Sequence, residues 1–285
     1  KYLKFGFGYA TDEAGYDIRE GRLTREEAIW YVEQYDGKCG QQYIEETCNY
    51  LSITQKEFWD VIQKELRELD FYITQEPIIL SPSDFGIPQN RERLFIIAWY
   101  KGLVDVKSFS FPYGIAPDGS TIYDKSKLKE GTLPTKVSDI FEPSETIEPS
   151  FTISDRMWIG HQNRKERNKQ NGKGFGYSLF KGDSVYTSTI SARYWKDGSE
   201  ILIDQSEKGL NPRKLTPVEA GRLQGYRILG SGWEHEECAN NQNYNESNPE
   251  FKIVVSKKEA YHQFGNSVAV PVIKKLAEEI VKQLM

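Results

Sequence analysis

The sequence predicts an α/β chain in four stretches: an N-terminal helical segment, an edge of an α/β sheet, a mostly β middle region and a closing helix. Three observations predict it. Thr-x-x-Glu pairs recur in the first third, and in such a pair a threonine caps a helix while the glutamate caps back. The period then changes to that of strands at "FYITQEPIIL" and "RLFIIAWY". Near the end, Val272, Ile273, Leu276, Ala277, Ile280 and Val281 fall at helical spacing behind Pro271, whose missing N–H costs least in a first turn.

In order along the chain, Thr24 and Glu27 open "LTREEAIWYVEQY", and Thr54 and Glu57 open "QKEFWDVIQKELREL". Gly37 and Gly40 punctuate between helices. The two strands are joined through the loop "SPSDFGIPQN". Residues 101–155, rich in Pro, Gly, Ser and Asp, read as an irregular connection with short strands. A β-like stretch around "DSVYTSTISARYW" and "EILI" precedes "KLTPVEAGRLQGY", where Thr216 is the cap, Pro217 the first helical residue and Glu219 the third. "ECANNQNYNESNPE" reads as an exposed polar loop. A Gly-Asn-Ser turn at 265–267 then feeds the closing helix, and a glycine turn before a helix can hold a polar ligand on its N–H groups. No internal repeat is present.

With 285 residues the chain can bury one large core or two modest ones. No apolar run approaches the roughly 20 residues of a membrane span, and the opening residues have no sustained apolar core of a leader. Cys39, Cys48 and Cys238 are too few and too scattered for a disulfide framework or a metal knuckle, so a reducing, cytoplasmic setting is expected. The net charge of −5 excludes a chain that binds nucleic acid by bulk charge. Locally the balance differs. Arg156, Arg164, Lys165, Arg167, Lys169, Lys173 and Lys181 face the single carboxylate Glu166, whereas residues 1–63 carry twelve acidic and seven basic side chains. The basic strip is either a solvated face or a phosphate-facing one.

Few residues suggest nucleophilic chemistry. None of the cysteines has an evident base or helix N-terminus to lower its pKa, and Cys238 lies in an acidic loop. His161, His235 and His262 are far apart, with no serine or cysteine elbow. The glycines of "KFGFGYA" and "GKGFGY" lack phosphate-loop spacing. "QNRER" stands out. On a strand, Arg91 and Arg93 would project to one face, where two guanidiniums need an anion or polar ligand; the bland alternative is a surface pair neutralised by Glu68, Glu76 or Glu92.

"ILSPSDFGIPQNRERLFIIA", "NPRKLTPVEAGRLQGY" and "YHQFGNSVAVPVI" closely resemble, in that order, the eighth, ninth and tenth signature blocks of DNA (cytosine-5) methyltransferases. "GYSLFKGDSVYTSTISARYWKDGSEILI" resembles the variable target-recognition region between the eighth and ninth blocks. The resemblance covers about residues 58–285 and implies a partial Rossmann-like methyltransferase sheet with a mostly β target-recognition domain. It also implies S-adenosylmethionine as cofactor and double-stranded DNA as partner. By resemblance, Arg91 and Arg93 face the flipped cytosine and its backbone, with Arg93 the stronger candidate. Asn266, Ser267 and Val268 line the cofactor pocket, and Arg213, Leu215, Thr216 and Pro217 are structural. Thr189, Ile190 and Arg193 are DNA-contact candidates in the recognition region, together with Arg164, Lys165 and Arg167 of the basic strip.

The family's chemistry adds a cysteine thiolate at C6 of a cytosine taken out of the stack, which makes C5 nucleophilic toward the methyl group. In the family that cysteine follows a proline, yet here Cys39 follows Lys38, Cys48 follows Thr47 and Cys238 follows Glu237. The Gly-rich cofactor loop and the Glu-Asn-Val acid are absent as well, and Arg227 stands where the family usually continues with proline. Residues 1 to about 63 resemble instead the C-terminal helical part of N-acetyl sugar amidotransferases, without that family's Ser-Gly-Gly phosphate loop. The junction falls within the helix Gln55–Leu69. The expected organisation is therefore 1–63 helical, 64–100 partial catalytic domain, 101–212 target recognition, and 213–285 ninth and tenth blocks with the closing helix. The expected function is the C-terminal portion of a methyltransferase that needs a complementing N-terminal methyltransferase polypeptide. The alternatives are a non-catalytic DNA-binding module, a nonfunctional fusion fragment, or an amidotransferase remnant.

Overall fold

The computed structural model describes residues 18, 21–27, 52, 54–102, 109–171, 176–228 and 251–283. Cys39, Cys48, Cys238, His235, Lys173, the loop 237–250 and the first helix beyond Glu27 lie outside them. The chain forms two units: residues 1–73 with 98–104, and residues 74–97 with 105–285.

Each of the two expected strands is broken in two, giving β1 (Phe71–Ile73), β2 (Ile78–Leu80), β3 (Arg93–Phe95) and β4 (Ala98–Tyr100). Pro77, which has no N–H to donate to a ladder, lies in the first break. In the first unit, helix α1 (Gln55–Glu68) starts with both halves of the expected Thr54–Glu57 capping box. It leads through Asp70, at φ 63°, into β1, which pairs antiparallel with β4 so that Tyr72 lies opposite Trp99. The Thr24–Glu27 pair also forms, with the Glu27 N–H donating to Thr24 Oγ1 at 3.3 Å.

In the second unit, β2 pairs antiparallel with β3, Ile79 opposite Leu94. After them come β5 (Gly114–Ile115), β6 (Thr121–Ile122), helix α2 (Asp155–Gln170), β7 (Leu179–Phe180), β8 (Leu202–Ile203), β9 (Arg213–Lys214), α3 (Pro217–Arg222), α4 (Lys257–Asn266) and α5 (Val270–Val281). β5 pairs with β6, and β7-β8-β9 form a mixed sheet, its first pair parallel and its second antiparallel.

The expectation of a mostly β middle region is corrected here. Among the described residues of 101–212, each strand spans two residues and the longest element is the 16-residue α2. "DSVYTSTISARYW" forms no strand; it contributes one bridge, Thr187 with Gln89. Turns and 3-10 segments carry the backbone hydrogen bonds that a ladder would otherwise supply, for example Val137 N–H to Ser184 O at 2.8 Å.

Two cores hold this unit. The larger gathers Val137, Ile190, Tyr194, Ile201, Leu215, Leu223, Tyr261 and Phe264 from the middle region, α3 and α4. The smaller packs Ile78, Leu80 and Phe85 against Ala269, Val272 and Leu276 at the start of α5. A helix absent from the sequence reading precedes that one. α4 is opened by a Ser256–Glu259 capping box, so Gly265 and Asn266 belong to its last turn and the turn itself is 267–269. Among the described residues, no helix is long and apolar enough to cross a membrane, and no cluster of three or more His, Cys, Asp or Glu could hold a metal ion.

Candidate functional site

The three recognised blocks converge on Gln89 and Arg91. Gln89 has no exposed surface; its Nε2 donates to Leu223 O at 2.8 Å, and its Oε1 accepts from Ile190 N–H at 3.1 Å. Around it the backbone is stitched: Asn90 N–H donates to Thr187 O at 2.9 Å, and Thr187 N–H to Pro88 O at 2.8 Å. Thr189 Oγ1 donates to Asn90 O at 2.8 Å. From the ninth block, Gln224 O accepts from Val270 N–H at 2.9 Å, tying it to the start of α5.

Arg91 does not share a surface with Arg93. It precedes β3, and its guanidinium donates at 2.9 Å to each of Ile190 O, Gly265 O and Ser267 O. Burial, and then the neighbouring charge of Arg93, pull its pKa down to about 10, so it remains a cation at neutral pH. The carbonyl dipoles compensate that buried charge in place of a carboxylate. Arg93 opens β3 on the exposed side, its Nη1 donating to Glu92 O at 2.7 Å, and burial lowers its pKa too. The strand begins only at Arg93, so the period-two rule that would set Arg91 beside it does not reach Arg91.

Gly265 makes this convergence possible. A Cβ there would fall inside van der Waals contact of Ser191 C and Ala192 N, which are backbone atoms that cannot move aside as a side chain can. The end of α4 thus lies directly on the recognition segment. Ser267 caps α4, its hydroxyl donating to Phe264 O at 2.9 Å and its carbonyl accepting from Arg91, which leaves the half-buried hydroxyl oxygen as an acceptor only. Asn266 is exposed with its amide 3.4 Å from His262 Nε2, and Val268 is 48% exposed. These two side chains are accessible, and the turn by itself does not enclose a pocket.

The ninth block is a buried frame. Arg213 and Glu219 form a two-pronged ion pair at 2.7 and 2.9 Å, and Glu219 also accepts from the Thr216 and Glu142 N–H groups. The Thr216 hydroxyl donates to Glu142. Tyr194 and Tyr261 close over Leu215, accepting from its N–H at 2.7 Å and donating to its O at 2.6 Å respectively.

The DNA-contact candidates separate. Ile190 is a correction: its side chain has no exposed surface and packs in the larger core, so it has nothing to present to a duplex. Arg164 is held as an anchor by Asp197 at 3.1 Å, His161 Nδ1 at 3.2 Å and Gly176 O at 2.8 Å. Because Nδ1 accepts from Arg164, His161 carries its proton on Nε2; burial, then the Arg164 charge, lower its pKa. Lys165, Arg167 and Arg193 are exposed, with Lys165 Nζ 4.2 Å from the Tyr177 ring centroid, and Thr189 is half-buried.

Comparison with known proteins matches two family models to this chain. The LPS biosynthesis protein WbpG-like C-terminal domain matches residues 1–81, which includes the amidotransferase-like segment. Type II methyltransferase M.SsoII of Shigella sonnei is 42% identical over 85% of this chain and 52% of its own length. M.NlaX of Neisseria lactamica is 43% identical over 77% of the chain and 56% of its own. M1.ScrFI of Lactococcus lactis subsp. cremoris is 39% identical over 98% and 60%, an alignment that takes in the N-terminal segment as well. That segment is thus covered by both the WbpG-like match and the M1.ScrFI alignment, while the methylase family match begins at residue 44. The chain spans about half to three fifths of these relatives' length. The structure resembles the Entamoeba histolytica methyltransferase EhMeth, with TM-score 0.50 and 19% identity over 80% of this chain and 58% of that one, which supports an α/β methyltransferase fold. The C-5 cytosine-specific DNA methylase family matches residues 44–227 and 234–282, the stretch that holds all three converging blocks, and the chain belongs to that family.

Proposed function

We propose that this chain is the target-recognition and C-terminal portion of a cytosine-5 DNA methyltransferase, acting on double-stranded DNA and completed by a second polypeptide. The observation that carries the reading is the convergence on Gln89 and Arg91, which fixes the recognition segment, the ninth block and the Gly-Asn-Ser turn to one another. Such a frame has a use if a flipped base and a cofactor must be held in fixed relation to a recognised sequence.

Roles follow from position. Arg93, exposed at the start of β3, is the guanidinium for the flipped cytosine or its phosphate, and Arg91 positions the segments around it. Residues 101–212 carry target recognition, with Lys165, Arg167, Thr189 and Arg193 toward the duplex. Asn266 and Val268 form one wall for S-adenosylmethionine, which supplies the methyl group when bound. No cysteine among these residues follows a proline, so the thiolate that attacks the base lies outside them.

The test is transfer of labelled methyl groups from S-adenosylmethionine to mixed-sequence duplex DNA. The chain is assayed alone, and then with the N-terminal half of a relative such as M.SsoII. Transfer in the mixture and none with the chain alone is the expected result. Transfer by the chain alone would overturn the need for a partner. Silence in both, with salt-sensitive DNA binding retained, would favour a non-catalytic DNA-binding module.

A further inference from the structure

Trp195 packs partly buried against the larger core, and two ammonium groups from different elements meet its indole. Lys196 Nζ lies 5.6 Å and Lys258 Nζ 4.7 Å from the ring centroid. Lys258 sits in the first turn of α4, where the partial positive charge of the helix end opposes another cation. The exposed Arg193 stands two residues before Trp195.

Two ammonium groups thus share one ring with the exposed Arg193 near them in the chain, and the carboxylates of these elements have other hydrogen-bond partners. Asp197 holds Arg164 at 3.1 Å, Glu200 accepts from Ser191 Oγ at 2.5 Å, and Glu148 holds Lys257 at 2.8 Å. Glu259, whose pKa Ser256 and in smaller part Lys258 lower, is occupied by the Ser256 cap at 2.8 Å. Among the described residues, no ion pair engages Arg193, Lys196 or Lys258. A cation over an exposed ring gains only about 0.5–1 kcal/mol, so the ring does not neutralise the two ammonium groups, and an anion would relieve their mutual repulsion. The support is rigid as well. Gly265 seats the end of α4 on the Ser191–Ala192 backbone, and Arg91 clamps both Ile190 O and Gly265 O.

We propose that Lys196 and Lys258, meeting at the Trp195 ring, form with the neighbouring Arg193 a clamp for the phosphate backbone of duplex DNA. The proposal rests on the DNA-handling reading above and adds Lys196, Lys258 and Trp195 to it. A polyanion suits the site better than a single small anion, because the cations are exposed and spread across an indole instead of converging in an enclosed cradle.

The experiment is fluorescence anisotropy of the full chain with a labelled mixed-sequence duplex over a series of salt concentrations. Thermal melts confirm that each variant is folded. For Lys196→Glu/Lys258→Glu, the slope of log affinity against log salt should become shallower by about two, and affinity at moderate salt should fall about tenfold or more. Lys196→Arg/Lys258→Arg should keep the slope, and Lys125→Glu/Lys127→Glu, an equal charge change on another exposed segment, should leave binding near that of the unmodified chain. Unchanged binding by the Lys196/Lys258 glutamate variant while Lys165→Glu/Arg167→Glu loses it would overturn the clamp and leave DNA binding intact. An equal loss in the Lys125/Lys127 variant would also overturn it, as an effect of net charge. No binding by the unmodified chain at low salt would overturn the clamp and the DNA reading together.

Discussion

Glu142 lies beside the buried ion pair of the ninth block, its own N–H donating to Glu219 at 3.1 Å and its carboxylate accepting from Thr216. Burial raises its pKa, the charge of Glu219 adds to the rise, and the Thr216 bond opposes it. The sign for stability follows. Between the ordinary carboxylate pKa and the raised native one, the folded chain binds more protons than the unfolded chain, so stability from this group falls as pH rises through that window. At neutral pH the carboxylate is therefore a small burden. Glu142→Gln keeps an acceptor for the Thr216 hydroxyl and removes the charge. It should stabilise the fold by about 0.5 kcal/mol at pH 7, after allowing for partial exposure. The gain should vanish below about pH 4, where the carboxyl is protonated in both states. Urea unfolding at the two pH values checks this, and a gain of equal size at both would show that charge is not the cause. Nothing at the level of sequence shows this pair. The Thr216–Glu219 capping box is a local pattern, whereas the approach of Glu142 depends on chain 77 residues away from Glu219.

At the scale of elements, legibility followed locality. The capping boxes at Thr24, Thr54 and Thr216 form as read, because each is decided within four residues. The Ser256–Glu259 box was equally visible and marks the helix that the sequence reading passed over. Helix α2 gave little signal, since its 16 residues are mostly polar and bury His161 alone. The β-like composition of 184–195 misled because β-branched and aromatic residues also suit an irregular segment packed into a core. The closing helix was read correctly in place but too generously in its stripe. Val272 and Leu276 are 2% and 4% exposed, whereas Ile273 and Val281 are 38% and 46% exposed. Leu276→Ala should thus cost about 2–5 kcal/mol, and Ile273→Ala about 0.5 kcal/mol or less, in urea unfolding. Equal costs would mean that the whole stripe is covered in solution.

At the scale of the second unit, the two cores are joined by polar groups more than by apolar ones. The smaller core holds β2 and the start of α5; the larger holds the recognition region with α3 and α4. Between them Gln89 reaches Leu223 and Ile190, Arg91 reaches Ile190, Gly265 and Ser267, and Gln224 O holds Val270 N–H. A buried amide and guanidinium are exacting joints, because each acceptor they leave costs about 1–3 kcal/mol when unpartnered. The convergence was half legible: the motif "QNRER" marked the residues, but only the fold shows that Gln89 and Arg91 tie segments a hundred and more residues apart. If these joints make one cooperative body, the amides of α3 and of α5 should exchange with solvent through the same global opening. Gln89→Ala/Arg91→Ala should lower that opening free energy by about 3 kcal/mol or more. It should also separate the two helices, with α5 exchanging first because the smaller core buries less. Native-state hydrogen exchange followed by mass spectrometry reads both effects. Helices that already exchange at different free energies in the unmodified chain, or that stay together in the variant, would show that the apolar cores and not Gln89 and Arg91 set the cooperative unit.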